Sequence, residues 1–371
     1  MSGLIYTMRN ERYFLERITN SAIFLLIASI IVIKIIISIL MKNNILNISL
    51  GGGSDANYYD SYAEGYINVA VNIWPVILRR LNDVGLYSRD IITFLLIFLN
   101  MLVIPVLATR LSGLKLNNYQ KYYFYSFLIY LAYPTIYFYS LDIFRDVFMV
   151  FIFLMGCIVA KKSMYSKNLI SFIIYFSIST LVGFFLLALR PYLGYAFLIS
   201  LFLWKIKFTK KRIIFLAILY FSALFVLNYI GALDVLTEYR SGFEEASGGS
   251  TLGLNFSNPL LFIPNFILST LGQLFGLYIT NPLAVILLLI ETLPFFFMFL
   301  YVLKEIRLAD SFVRFLIIFF VLYGSVWLIG NDNLGTALRL RIYNYLAIYI
   351  SFFYILRLKK LYSTTSEVVS K

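Results

Sequence analysis

Apolar and polar positions along this chain fall into long separate blocks. Ten apolar runs, at 22–42, 91–109, 122–140, 147–160, 168–189, 192–206, 213–232, 282–303, 312–330 and 342–358, are divided by polar stretches. A helix needs about 20 apolar residues to cross the hydrocarbon core of a bilayer, so each run is read as a candidate span. Two of them, 147–160 and 192–206, are short and must stand nearly upright, thin the bilayer or be incomplete. The stretch 259–280 is apolar but carries Pro259, Pro264, Gly272 and Gln273, and is read as re-entrant or interfacial. The fold class expected is all-α: a polytopic membrane helical bundle of about ten transmembrane helices with one re-entrant or interfacial segment. Residues 1–371 form a single integral membrane domain in this reading, with long loops at 43–90 and 233–281 on one side. The first run follows a polar stretch and has no small-residue cleavage site, so it is expected to remain as a signal-anchor.

Composition narrows the field. Hydrophobic residues make up 61% and charged residues 13%, against about 45–50% and about 25% in soluble domains, which excludes a soluble enzyme and a disordered chain. Histidine is absent, so Ser-His-Asp chemistry, Cys-His chemistry and histidine metal sites are excluded. The single cysteine, Cys157, has no partner for an internal disulfide. No metal and no cofactor are expected.

The net charge of +13 is unevenly spread. One set of connections, including Arg9, Arg12, Arg17, Lys161, Lys162, Lys205 to Arg212 and Lys304 to Arg314, holds 21 cations against five acids, a balance of +16. The opposite set holds nine cations against twelve acids, a balance of −3. By the positive-inside rule the first set is cytoplasmic, with both termini, and the excess charge reports topology rather than nucleic-acid binding. Lys34 and Glu291 sit mid-span, where a lone charge costs about 2.5–3.5 kcal/mol, and are expected to pair with each other.

Four clusters stand on the outward side. In the loop 43–90, Gly51-Gly52-Gly53-Ser54-Asp55 permits a sharp entry and an N-cap for a helix from Ala56. Asp60 and Glu64 share a face of that helix. Tyr66–Leu81 is read as an amphipathic, membrane-lying helix with Trp74 as interface anchor and Pro75 as a break. The second cluster, Asp142, Arg145 and Asp146, has almost no room for a loop; its bland alternative is a helix-end ion pair. The third is Arg190-Pro191, where snorkelling competes with function. The fourth runs from Asn331-Asp332-Asn333 to Arg339 and Arg341. On a helix those two arginines would point about 200° apart, so only an irregular segment would aim both at one ligand. Tyr130, Tyr133 and Tyr137 line one helix face and are read as packing.

Carboxylates, arginines and amides, without histidine or a reactive thiol, suffice for sugar transfer from a phosphate-linked carrier. A carboxylate takes the proton of the attacking hydroxyl, and arginines hold the phosphate and stabilise the leaving oxygen. The plan resembles the membrane glycosyltransferases of GT-C type, through Asp55-Ala56-Asn57-Tyr58-Tyr59-Asp60 in a long first outward loop and the Tyr66–Leu81 segment after it. The size, the Phe- and Tyr-rich spans and the outward arginines also resemble bacterial polysaccharide repeat-unit polymerases of the O-antigen (Wzy) type. These resemblances imply Asp55 or Asp60 as catalytic base. They imply Arg145, Arg190, Arg339 and Arg341 on carrier phosphate, and Asp142, Asp146, Asn331 and Asn333 on sugar hydroxyls. The implied partners are the bilayer, an undecaprenyl-linked glycan donor and acceptor, and a chain-length regulator, with no nucleic acid. The implied place is the bacterial inner membrane, working at its periplasmic face. A transferase of one sugar from a polyprenyl-phosphate donor and a lipid-linked glycan flippase without chemistry are the alternatives.

Overall fold

The computed structural model describes residues 19–43, 45–46, 53–245, 251–279 and 281–369. The N-terminal cations Arg9, Arg12 and Arg17 and the glycines Gly51 and Gly52 lie outside the described residues. In chain order the helices are α1 (Asn20–Lys42), α2 (Gly53–Ala63), α3 (Ile73–Asp83), α4 (Arg89–Leu111), α5 (Leu116–Leu131), α6 (Pro134–Phe138), α7 (Arg145–Met164), α8 (Leu169–Leu189), α9 (Pro191–Leu203), α10 (Lys210–Tyr229), α11 (Asp234–Glu245), α12 (Pro259–Leu274), α13 (Pro282–Lys304), α14 (Ser311–Gly330) and α15 (Leu334–Val369). Among the described residues the strand content is one isolated bridge, Thr251 to Asn333.

The helix starts are written in the sequence. Side chains of Thr19, Asn72, Asn168, Thr209, Asn258, Asn281 and Asp310 accept the first-turn N–H groups of α1, α3, α8, α10, α12, α13 and α14, which would otherwise lack partners. Proline opens α6, α9, α12 and α13, where its missing N–H costs nothing.

Among the described residues seven helices, α1, α4, α7, α8, α10 (from Lys211), α13 and α14, are long and apolar enough to cross a membrane. The chain is a multi-pass helical membrane protein of the lipid bilayer. Ten such helices were expected, and three of the ten runs differ. The run 122–140 is broken between Leu131 and Pro134. The run 192–206 yields α9, of 13 residues. The run 342–358 lies inside α15, whose stretch from Ile342 to Ile350 is wholly buried. Protein surrounds that stretch, so it tolerates Tyr343, Asn344, Tyr345 and Tyr349 where a lipid-facing helix would be more apolar. The run 147–160, expected to be short, is a helix of 20 residues that takes in Arg145 and Lys161 at its ends. The segment expected to be re-entrant or interfacial is the apolar helix α12, shorter than the seven.

Helices α13 and α14 pack along α15, and α7 and α9 pack on α14, with Phe153, Phe197, Phe315, Phe319, Tyr323 and Tyr343 meeting ring to ring. Helices α1 and α10 are the most outward, with Phe24, Leu25, Ile214 and Phe215 exposed, as lipid-facing helices require. Three stretches, Leu99–Val103, Thr270–Leu274 and Leu288–Thr292, widen to π-helical turns. Pro105 and Pro294 follow the first and third, and the wider turn relieves the clash of each ring with the carbonyl four residues earlier. Each π turn carries a buried polar side chain: Asn100, Gln273 and Glu291.

The loop 43–90 departs from expectation in two ways. Only Ile73–Asp83 of the amphipathic stretch is helical, because Asn72 starts the helix there. Pro75 sits in the first turn and breaks nothing, and Trp74 is no interface anchor. It is 4% exposed, and its indole N–H donates to the Ile143 carbonyl at 2.8 Å.

Candidate functional site

Helix α2 docks through Ala56, Tyr59 and Ala63, a small-large-small face that lets its backbone lie close to the bundle. It thereby delivers Asp55 and Asp60 to two different arginines. Facing α2 is the corner 140–146 between α6 and α7, which Trp74 holds from α3.

Two arginines each clasp one acid from α2 and one from that corner. Arg89, at the start of α4, donates to Asp60 Oδ2 at 3.2 Å and forks onto both oxygens of Asp142, at 2.9 and 2.6 Å. Asn57 Oδ1 accepts from the same guanidinium at 3.0 Å. Arg339, on α15, donates to Asp55 Oδ2 at 2.6 Å and, through Nε and Nη2, to Asp146 Oδ2 at 3.0 and 2.8 Å. As the numbers rise along α2 they fall along the corner, so the two segments pass antiparallel. The first clasp sets one cation against two carboxylates and is net negative.

The second clasp has more cations. Arg190, joining α8 to α9, donates to Asp146 Oδ1 at 3.4 Å. Arg145 sends Nη1 to the Leu189 carbonyl at 2.9 Å. Three arginines thus stand around Asp55 and Asp146. Asp146 is 1% exposed, and a carboxylate so buried is tolerable only when paired. The Arg339 guanidinium lies 4.9 Å from the Tyr139 ring centroid and 5.8 Å from that of Phe144, a cation–π seat.

Around the second clasp, among the described residues, several buried donors have no partner, Arg145 Nε and the hydroxyls of Tyr139 and Tyr343, while the Tyr323 hydroxyl and Arg190 have each other. The rings of Tyr192, Tyr323 and Tyr343 form a chain at 5.9 and 5.4 Å, with Arg190 5.7 Å from the Tyr192 centroid. Buried donors left unsatisfied are rare and ask for an explanation. A ligand with several negatively charged oxygens supplies one, because guanidinium and hydroxyl donors both suit phosphate. Outside the spans, burial pushes the Tyr59 hydroxyl above its ordinary pKa, with Arg145 pulling against it. The Tyr87 hydroxyl is pushed up by burial and by its bond to Asp60.

Two further buried ion pairs lie elsewhere. Arg341 donates to Glu291 Oε2 at 2.8 Å, and Glu291 Oε1 accepts the N–H and hydroxyl of Thr135 at 2.7 and 2.6 Å. Lys34 therefore does not pair with Glu291. It reaches Asn100 Oδ1 at 3.4 Å and lies over the Tyr137 ring, because α1 packs on α5 and Glu291 is already taken by α15. Arg240 of α11 is bonded to Asp332 and donates to the carbonyls of Leu254 and Asn331 at 3.0 and 2.6 Å.

The structure therefore brings together Asp55, Arg145, Asp146, Arg190 and Arg339, and places Asp60 and Asp142 beside them on Arg89. It does not bring in Arg341. The segment is helical, not irregular, and its two arginines serve different partners for that reason. Asn333 Oδ1 caps α15 through the Thr336 N–H at 2.9 Å, and the Asn331 amide donates to Gln273 Oε1 at 2.5 Å. Both amides hold the turn rather than face the acids. Arg89, Tyr59, Tyr139, Tyr323 and Tyr343 were not anticipated. A signal existed for Arg89: Arg89-Asp90 opens a long helix on the same side as Arg145-Asp146 does. Compared with protein-family models, with curated proteins and with solved structures, the chain matches none of them.

Proposed function

We propose that this protein is a membrane glycosyltransferase that polymerises undecaprenyl-diphosphate-linked oligosaccharide repeat units of a surface polysaccharide. In this reading it works at the periplasmic face of a bacterial inner membrane, with both termini cytoplasmic. The plan is GT-C-like with about ten crossings, three of them supplied by α5–α6, α9 and α15. One observation carries the reading: three arginines and the hydroxyls of Tyr139 and Tyr343, unpartnered among the described residues, stand around two carboxylates of very different exposure.

Asp146 is sealed, whereas the Asp55 side chain is 38% exposed, so Asp55 is the carboxylate an incoming sugar hydroxyl can reach. Asp55 takes the proton of that hydroxyl as its oxygen bonds to the anomeric carbon of the donor. The carrier diphosphate leaves with the electron pair of the broken bond. Arg190, Arg145 and the hydroxyls of Tyr323 and Tyr343 receive its charge, and Asp146 keeps Arg190 and Arg339 in place. Asp60 and Asp142, with Arg89, form the acid-rich side that suits neutral sugar hydroxyls and repels phosphate.

Transfer of a single sugar from a polyprenyl phosphate is a second reading, favoured by the fact that both clasps are built on the first outward loop. Polymer length on gels separates them. Asp55→Asn and Arg190→Ala are each expected to abolish the ladder at unchanged protein level, and Asp60→Asn to shorten it. A full ladder from both Asp55→Asn and Arg190→Ala removes the assignment, and a product one sugar longer selects the second reading.

A further inference from the structure

At the other end of the bundle lies a cleft of about 520 Å³, formed where the α9–α10 connection meets the α13–α14 connection. It is lined by Lys207, Lys211, Arg307 and Arg314, with Phe208 and Ile306 as apolar walls. Helix α14 runs from this cleft to the turn before Arg339. Its 20 residues at about 1.5 Å each put about 30 Å between the two ends, so the cleft is separate from the arginine clasps.

The cations here differ from those of the clasps. None of the four has a carboxylate within ion-pair distance among the described residues, although all the clasp arginines except Arg145 do. The two acids of the α13–α14 connection are engaged elsewhere. Glu305 pairs with Lys359 at 2.6 Å, and Asp310 caps Val313 at 3.1 Å and accepts the Tyr165 hydroxyl. Arg314 is held in place, donating Nη2 to Ser311 Oγ at 3.0 Å, while its Nε is buried without a partner among the described residues. Two long helices, α10 and α14, begin at this cleft, and their N-terminal dipoles add positive potential. Lysines that only retain a loop at the membrane surface need no concave seat and no half-buried arginine held by a side-chain hydrogen bond.

We infer that this cleft binds a phosphate-bearing anion, the headgroup of an anionic phospholipid or a soluble phosphate compound, through Arg314 and Lys207, Lys211 and Arg307 around it. The volume suits a small ligand, and basic seats between membrane helices on the cytoplasmic side recognise phosphate headgroups. The apolar walls favour the lipid source. Nothing in the inference depends on the glycosyltransferase reading.

Native mass spectrometry of the full chain, released from nanodiscs of phosphatidylcholine doped with cardiolipin or phosphatidylglycerol, counts retained lipids. A separate arm titrates inorganic diphosphate in detergent. One saturable anionic lipid, absent in pure phosphatidylcholine, assigns the lipid source, and saturable diphosphate binding without lipid retention assigns the soluble one. In either case Arg314→Ala is expected to weaken binding by at least about tenfold, the loss of one charged hydrogen bond. Arg314→Lys, and Lys207→Gln on the exposed rim, guard against misfolding and are expected to weaken it by less than Arg314→Ala. Binding that is non-saturable, equal for phosphatidylcholine, or unchanged across all three variants overturns the inference.

Discussion

Arginine carries the charge wherever one side chain must meet two acceptors. Arg339 spans Asp55 and Asp146, Arg89 spans Asp60 and Asp142, and Arg240 gathers Asp332 with the Leu254 and Asn331 carbonyls. A planar fork of donors can do this, and an ammonium on a flexible stem cannot hold both geometries at once. Arg339→Ala leaves Asp146 short of its main partner and is expected to cost about 3–5 kcal/mol. Arg339→Ala with Asp146→Ala should recover part of that loss. Cys157 supplies the readout. It is fully buried, so its reaction with a fluorescent maleimide during heating reports unfolding. Asn333→Ala is expected to cost about 1 kcal/mol as a lost cap, and Asn333→Ser to cost less. A sugar ligand role for Asn333 would instead show as lost polymer at unchanged melting temperature.

At the scale of elements, the α8–α9 corner decides where Arg190 stands. Arg190 ends α8, Pro191 opens α9, and three residues after that proline Gly194 lies against the backbone of α8. A Cβ at Gly194 would come within 2.4 Å of the Leu187 N and Cα, so the two helices touch only because that side chain is missing. Gly194→Ala must part them. The expected cost is about 1–3 kcal/mol, measured by the same thermal labelling. Because Arg190 sits at the hinge of this hairpin, activity should fall further than stability does, since a misplacement of about 1 Å can cost about 10²-fold.

At the scale of the whole molecule, four buried ion pairs among the described residues tie distant parts of the chain to α15 or the turn before it, or to the corner that faces it. Glu291 joins α13 to α15 and also holds Thr135 at the start of α6. Exchanging the charges as Glu291→Arg with Arg341→Glu is expected to restore more stability than either change alone leaves. The same exchange between Lys34 and Glu291 is expected to restore none, because the two side chains have different partners. Equal rescue by both exchanges would place α1 against α13, contrary to the packing of α1 on α5.

What the sequence determined by itself was everything governed by local spacing. The apolar runs gave the class, the capping residues and prolines gave the helix starts, and Arg145, Arg190 and Arg339 stood out as charges at the edges of apolar runs, with Asp55 in the long polar loop between the first two. What it left open was which charge meets which, because pairing depends on how helices rotate and cross, and side chains more than a hundred positions apart share no local signal. Hence Glu291 was matched with Lys34 when it belongs to Arg341, and Arg89 passed as one more loop cation. Interior helices misled for a related reason: the run 342–358 reads as a lipid-crossing span, yet residues 342–350 of α15 are enclosed by protein, which tolerates the tyrosines and asparagine there. The tertiary structure alone decided that two antiparallel segments, α2 and the 140–146 corner, share their four acids between two arginines.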